Sequence, residues 1–334
     1  MSRPASGPMG LALALALLSL MLLGCASTPR HEAVSAPVEG LPVGSGAFLA
    51  DVNGRQIEVF TYRATNHAPD SPVILVLAGG GRNGDDYRDA WIASAERYGL
   101  LVLAPAFDET QFPGPIPYNL AGMIEADADA ATLRSVTLTS SERWLFRDIE
   151  AVFDQAVART GSQRSTYDIF GHSAGAQIIH RMVLFSPDMR ARVAVAANAG
   201  WYTMPTADAG FPYGLGGLPP AVLRHDAFQR PLVLLLGELD NADETRGELR
   251  STPETDSQGA HRLARGRRFH QLGQVQAERS GVPFDWRLTI VPGVGHDYRR
   301  MSEAAAAYLY GEARFPVHVG MSGRTAPLIP PPGG

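Results

Sequence analysis

Tyr167-Asp168-Ile169-Phe170-Gly171-His172-Ser173-Ala174-Gly175-Ala176-Gln177-Ile178-Ile179 decides how this chain is read. Residues 167–170 alternate like a short buried strand, and residues 176–184 read as a helix. Between them stands Gly171-x-Ser173-x-Gly175. A strand, a sharp turn and a helix are the setting in which this pentapeptide lifts a serine to the carboxyl edge of a sheet. The two glycines answer a steric demand, because side chains there collide with the neighbouring strand and helix. Ser173 is the candidate nucleophile.

The rhythm around the turn is that of a parallel sheet. Val73–Leu77 and Leu100–Ala104 are apolar runs expected of strands buried on both faces. Further strands are predicted at 167–170, 192–197, 231–236 and 286–291, and helices at 83–98 and 141–160. Ahead of them, 48–52 and 57–62 flank Asn53-Gly54, a two-residue hairpin signal. The expected fold class is α/β: a mostly parallel, doubly wound sheet with an antiparallel N-terminal hairpin. Ligands then gather at the carboxyl ends of the strands.

Chemistry-bearing residues fall there. Gly237-Glu238-Leu239-Asp240-Asn241-Ala242-Asp243 follows one predicted strand, and Pro292-Gly293-Val294-Gly295-His296-Asp297 follows the last. A serine hydroxyl needs a base to take its proton, and His296 is the candidate. Asp240 would orient that imidazole and stabilise its cation, with Asp243 as the rival acid and Asp168 as a weaker one. Asp297 points away as an adjacent residue and reads as structural. Acyl transfer also needs donors for a developing oxyanion. The backbone N–H of Ala174 supplies one. The loop Ala78-Gly79-Gly80-Gly81-Arg82-Asn83-Gly84-Asp85-Asp86-Tyr87 supplies the other, from Gly80 or alternatively Gly81. Trp201 and Tyr202 belong on the same edge and are candidate substrate-binding aromatics, with plain core packing as the alternative. The strandless stretches 107–140 and 203–220 are expected to cover the site, one or both.

The order Ser173, Asp240, His296 is that of the α/β-hydrolase triad. The run Ala78–Tyr87 resembles the opening of polyhydroxybutyrate depolymerase-like and feruloyl-esterase-like members of that superfamily. The resemblance implies an α/β-hydrolase fold, Gly80 at the oxyanion position, and ester cleavage through an acyl-enzyme without a cofactor. Ala78 departs from the histidine usual there, a loop-supporting residue. Peptidase, amidase and acyltransferase chemistry would use the same triad, and a catalytically silent binding lipoprotein is the reading from another class.

Composition narrows the rest. The 334 residues carry a formal net charge of -5, and every Lys/Arg cation is arginine, without a basic block suited to nucleic acid. Arg262–Arg268 reads as a solvated helix face. The nine histidines are scattered and no H-E-x-x-H occurs, so no metal is expected. Leu11–Leu23 is an apolar run too short for an ordinary membrane span. It leads into Leu22-Leu23-Gly24-Cys25, which resembles a bacterial lipobox. Residues 1–24 are therefore expected to be a lipoprotein-type signal peptide, the alternative being an ordinary secretory signal with a coincidental Cys25 and a secreted or periplasmic protein. Cys25, the single cysteine, would carry a lipid that makes the membrane a partner. Ala26, by resemblance to Gram-negative sorting signals, favours the periplasmic face of the outer membrane. Residues 25–45 read as a flexible tether, 46–312 as the catalytic domain and 313–334 as a Pro/Gly-rich tail.

Overall fold

Asn53 and Gly54 both take left-handed backbone, with φ of 53° and 75°. A tight turn between right-twisting strands demands that conformation. They join β1 (Gly44–Val52) to β2 (Arg55–Arg63) in antiparallel register, Val52 opposite Arg55. The computed structural model describes residues 40–125, 136–311 and 317–318. The signal segment, Cys25, most of the tether and most of the tail lie outside the described residues.

The hairpin is one edge of a nine-stranded sheet. The next strands are β3 (Val73–Leu77), β4 (Leu101–Pro105), β5 (Tyr167–His172), β6 (Ala191–Ala197), β7 (Leu232–Gly237) and β8 (Arg287–Val291). β2 pairs antiparallel with β4, and from β4 through β3, β5, β6 and β7 to β8 every pairing is parallel. The mostly parallel sheet with its antiparallel N-terminal pair is the one expected.

Two boundaries differ. β1 starts inside the expected tether, and Leu41 is already buried in the core, held by the Arg63 guanidinium on its carbonyl. Inside the expected tail, β9 (Val317–His318) pairs antiparallel with the outer edge of β8. The returning chain thereby satisfies peptide groups that an open edge leaves unpaired.

Every residue of β3, β4 and β5 is buried, because helices cover both faces. Val73, Leu75 and Leu77 face a core with α3 (Leu145–Thr160), α4 (Ala174–Phe185) and α6 (Arg262–Ser280). Ile74 and Val76 face the other core, with α1 (Gly84–Asp89), α2 (Ile92–Tyr98) and α7 (Tyr298–Tyr310). The single helix expected over 83–98 is broken at Ala90–Trp91, where Trp91 is buried edge-on to Phe170. A short helix, α5 (Pro253–Asp256), interrupts the loop between β7 and α6. β3 is followed by β4 on one side and flanked by β5 on the other. The loops leaving their carboxyl ends therefore part, and a crevice opens between them.

Candidate active site

Ser173 sits at that crevice in a strained backbone, φ 57° and ψ −112°, between β5 and α4. Close packing enforces the flanking glycines. A Cβ on Gly171 would lie 2.5 Å from the Gly175 carbonyl carbon, and one on Gly175 would lie 2.4 Å from the Leu77 oxygen. The Ser173 N–H donates to Ala197 on β6, which fixes the turn.

Two further loops converge on the serine. Ser173 Oγ lies 3.2 Å from His296 Nε2, and His296 Nδ1 lies 2.8 Å from Asp240 Oδ2. Asp240 is 1% exposed, three residues beyond the end of β7. Asp243, its rival, is exposed, and its N–H turns back onto Asn241. Asp168 lies elsewhere, bound to Arg192 and Tyr310. Asp297 caps α7 by accepting from the N–H groups of Arg299 and Arg300, a structural place.

Ser173 and His296 open onto a cleft of about 630 Å³. Gly80 and Ala174 line it beside Ser173. Ala174 begins α4, so its N–H has no acceptor one turn back. At Gly80 a Cβ would meet nothing within 4 Å, so the backbone there faces open space. Trp201 lines the cleft and Tyr202 does not. The Tyr202 ring is fully buried and stacked on Phe269 of α6, 4.7 Å between centroids. Tyr202 is thus a core residue and not a substrate-binding one, because consecutive residues of an extended segment point to opposite sides. Of the two long stretches, the first borders the cleft through Glu109, Gly114, Pro115 and Asn119. The second does not, and Arg246–Arg250, in the loop after β7, takes its place.

Several residues that hold this geometry escaped the sequence reading. Arg262 Nη1 reaches Asp240 Oδ1 at 3.2 Å, with Nη2 on the carbonyls of Gly247 and Glu248. Arg262 and Arg265 are buried, so only Arg267 and Arg268 of the basic stretch lie on the solvated face expected of it. Asn198, fully buried at the end of β6, donates to the Gly295 carbonyl and accepts from the Gly237 N–H. It ties the loops after β7 and β8 together. Glu244 accepts from the His296 N–H at 2.5 Å, and Arg246 chelates the same carboxylate. Those hydrogen bonds, Arg246 foremost, hold the Glu244 carboxyl down to about 2. His172 packs its ring 4.4 Å from that of His296, with Nδ1 3.1 Å from the Tyr87 hydroxyl. Burial first, and His296 second, keep the His172 imidazole well below its usual range, so it is neutral beside His296.

Among the described residues no group of three His, Cys, Asp or Glu side chains could hold a metal ion, and no helix is long and apolar enough to cross a membrane.

No family model and no curated protein sequence matches the chain. Solved structures do. Poly(aspartic acid) hydrolase-1 from Sphingomonas sp. KT-1 is 38% identical, covering 81% of this chain and 100% of its own, with a TM-score of 0.73. A poly(3-hydroxybutyrate) depolymerase from Bordetella parapertussis is 35% identical, covering 82% and 92%, with a TM-score of 0.72.

Proposed function

The chain belongs to the α/β-hydrolase family of these two polymer hydrolases, and from that premise we propose that it cleaves carboxylic ester bonds through an acyl-enzyme on Ser173. The observation that carries the reading is the continuous relay from Ser173 Oγ to His296 to the buried Asp240 at the cleft floor.

His296 Nε2 takes the hydroxyl proton as Oγ forms its bond to the carbonyl carbon. Asp240 holds the imidazole in the tautomer that leaves Nε2 free to accept, and offsets the imidazolium charge. The N–H groups of Gly80 and Ala174 donate to the oxyanion. As the ester C–O bond breaks, His296 passes the proton to the departing alkoxide. Water, deprotonated by His296, then attacks the acyl-enzyme and releases the acid and Ser173. The chemistry calls on no cofactor.

A second reading, amide cleavage, draws on the 38% identical relative, whose named polymer is joined by amide bonds. A panel of p-nitrophenyl esters and anilides on wild type and Ser173→Ala separates them. Ester turnover lost in the variant supports the proposal. Turnover unchanged in the variant sinks the mechanism, and turnover of anilides alone moves the activity to amidase.

We also propose that residues 1–24 are removed and that lipid on Cys25 anchors the enzyme in the bacterial envelope, at the periplasmic face of the outer membrane. The tether then lets the domain reach a polymeric or small ester. Cys25→Ser should move the protein from the membrane to the soluble fraction; unchanged fractionation refutes the anchor.

A further inference from the structure

Gln177 lies one helical turn after Ser173 on α4, so its side chain stands on the same face as the nucleophile. It lines the cleft and is only 5% exposed. Its Oε1 is buried without a hydrogen-bond partner among the described residues. Burying such a group unpaired costs about 1–3 kcal/mol.

The surroundings hold the amide in place. Gly200 lies directly against it, where a Cβ would come within 3.2 Å of Nε2. Arg181, one further turn along α4, lies underneath. Its guanidinium donates to the carbonyls of Gln177 and Asn119 and to Thr203 Oγ1, and stacks 4.5 Å from the Trp201 ring. It faces no carboxylate within ion-pair distance among the described residues, and burial pulls it down to about 9. The guanidinium therefore braces the wall, loop and helix around Gln177. A braced amide beside a nucleophile, its oxygen unmatched by the protein, is complementary to a substrate group.

We propose that Gln177 determines acyl specificity, by pairing with a group near the scissile carbonyl that both donates and accepts a hydrogen bond. An amide end carries one acceptor and donors. A hydroxyl or a CO–NH unit on the acyl chain matches it, whereas a plain alkyl chain leaves it unpaired. The inference rests on the esterase reading above and deepens it: the preferred substrates are hydroxyacyl or amidoacyl esters.

The test compares esters with one leaving group, so that only the acyl part changes. With full-length enzyme, kcat/KM is measured for p-nitrophenyl 3-hydroxybutyrate against butyrate, and for 3-acetamidopropanoate against hexanoate. Wild type should favour the polar member of one or both pairs by about tenfold or more. Gain in the first pair identifies a hydroxyl, and in the second a CO–NH group. In Gln177→Met the same ratios should fall toward one. Ratios near one in wild type overturn the inference without recourse to a variant, as do ratios that survive in Gln177→Met. Equal turnover of all four esters refutes only the role of Gln177. No turnover of any ester refutes the esterase reading and this inference with it.

Discussion

Arg262 holds one oxygen of the Asp240 carboxylate at 3.2 Å, and the other oxygen of that carboxylate lies 2.8 Å from His296. Both partners of the ion pair are almost wholly buried, with side chains 3% and 1% exposed. Two such charges are costly to desolvate, and removing one strands the other. Arg262→Met should destabilise the fold by about 3–5 kcal/mol and depress ester turnover in the molecules that remain folded. Arg265→Met is the control. Arg265 is just as buried but reaches carbonyls and Asp256, not Asp240. Thermal unfolding and kcat/KM on both variants check this; equal activity per folded molecule in the two would refute a role for Arg262 in the relay.

Asp240→Asn should lower kcat by roughly 10⁴-fold, because an amide there favours the wrong imidazole tautomer. Asp243→Asn should stay within about twofold of wild type, as expected of an exposed loop residue. Ester kinetics on the pair would reverse the assignment if Asp243 were the sensitive position.

Glu244 predicts a pH dependence of stability. Its carboxyl titrates at about 2 in the fold, against 4.5 when free. A depressed acid contributes stability that is present above the free value and lost as pH falls through the folded one. The difference in melting temperature between wild type and Glu244→Gln should therefore be constant above about pH 5 and shrink between pH 4.5 and pH 2. A difference that persists unchanged at pH 2 would show that the carboxylate charge is not what clasps the His296 loop.

Gly175→Ala places a methyl 2.4 Å from the Leu77 carbonyl oxygen, a backbone atom that cannot swing aside. Either α4 moves off β3 or the chain fails to fold. We expect a loss of several kcal/mol. Gly80→Ala, with nothing within 4 Å of the new carbon, should leave the melting temperature within a degree or two while lowering turnover. Urea unfolding and ester assays on the two variants separate steric from catalytic damage.

The parallel strands and the order of Ser173, Asp240 and His296 were legible because both are one-dimensional signals. Apolar runs mark strands buried on two faces, and chemistry follows their carboxyl ends. The supporting residues were not, because their meaning is a matter of distance across the fold. Arg262 and Arg265 look like any arginines on a helix until α6 is laid against the loop after β7. Asn198 offered a faint signal, a lone amide directly after the apolar end of β6. Tyr202 was misplaced because the sequence shows that neighbouring aromatics point opposite ways but not which one faces the cleft. Gln177 was readable by spacing from Ser173; its unmatched amide was not.

The relay joins distant parts of the folded chain: Ser173 meets His296 across 123 positions, and Asp240 meets it across 56. β6, β7 and β8 lie beside β5 in the order in which they occur along the chain. A nascent or truncated chain that stops anywhere before residue 296 carries the serine without its base. In the proposed reading, hydrolytic power is complete only once the final parallel strand is in place, and the topology itself acts as a safety catch.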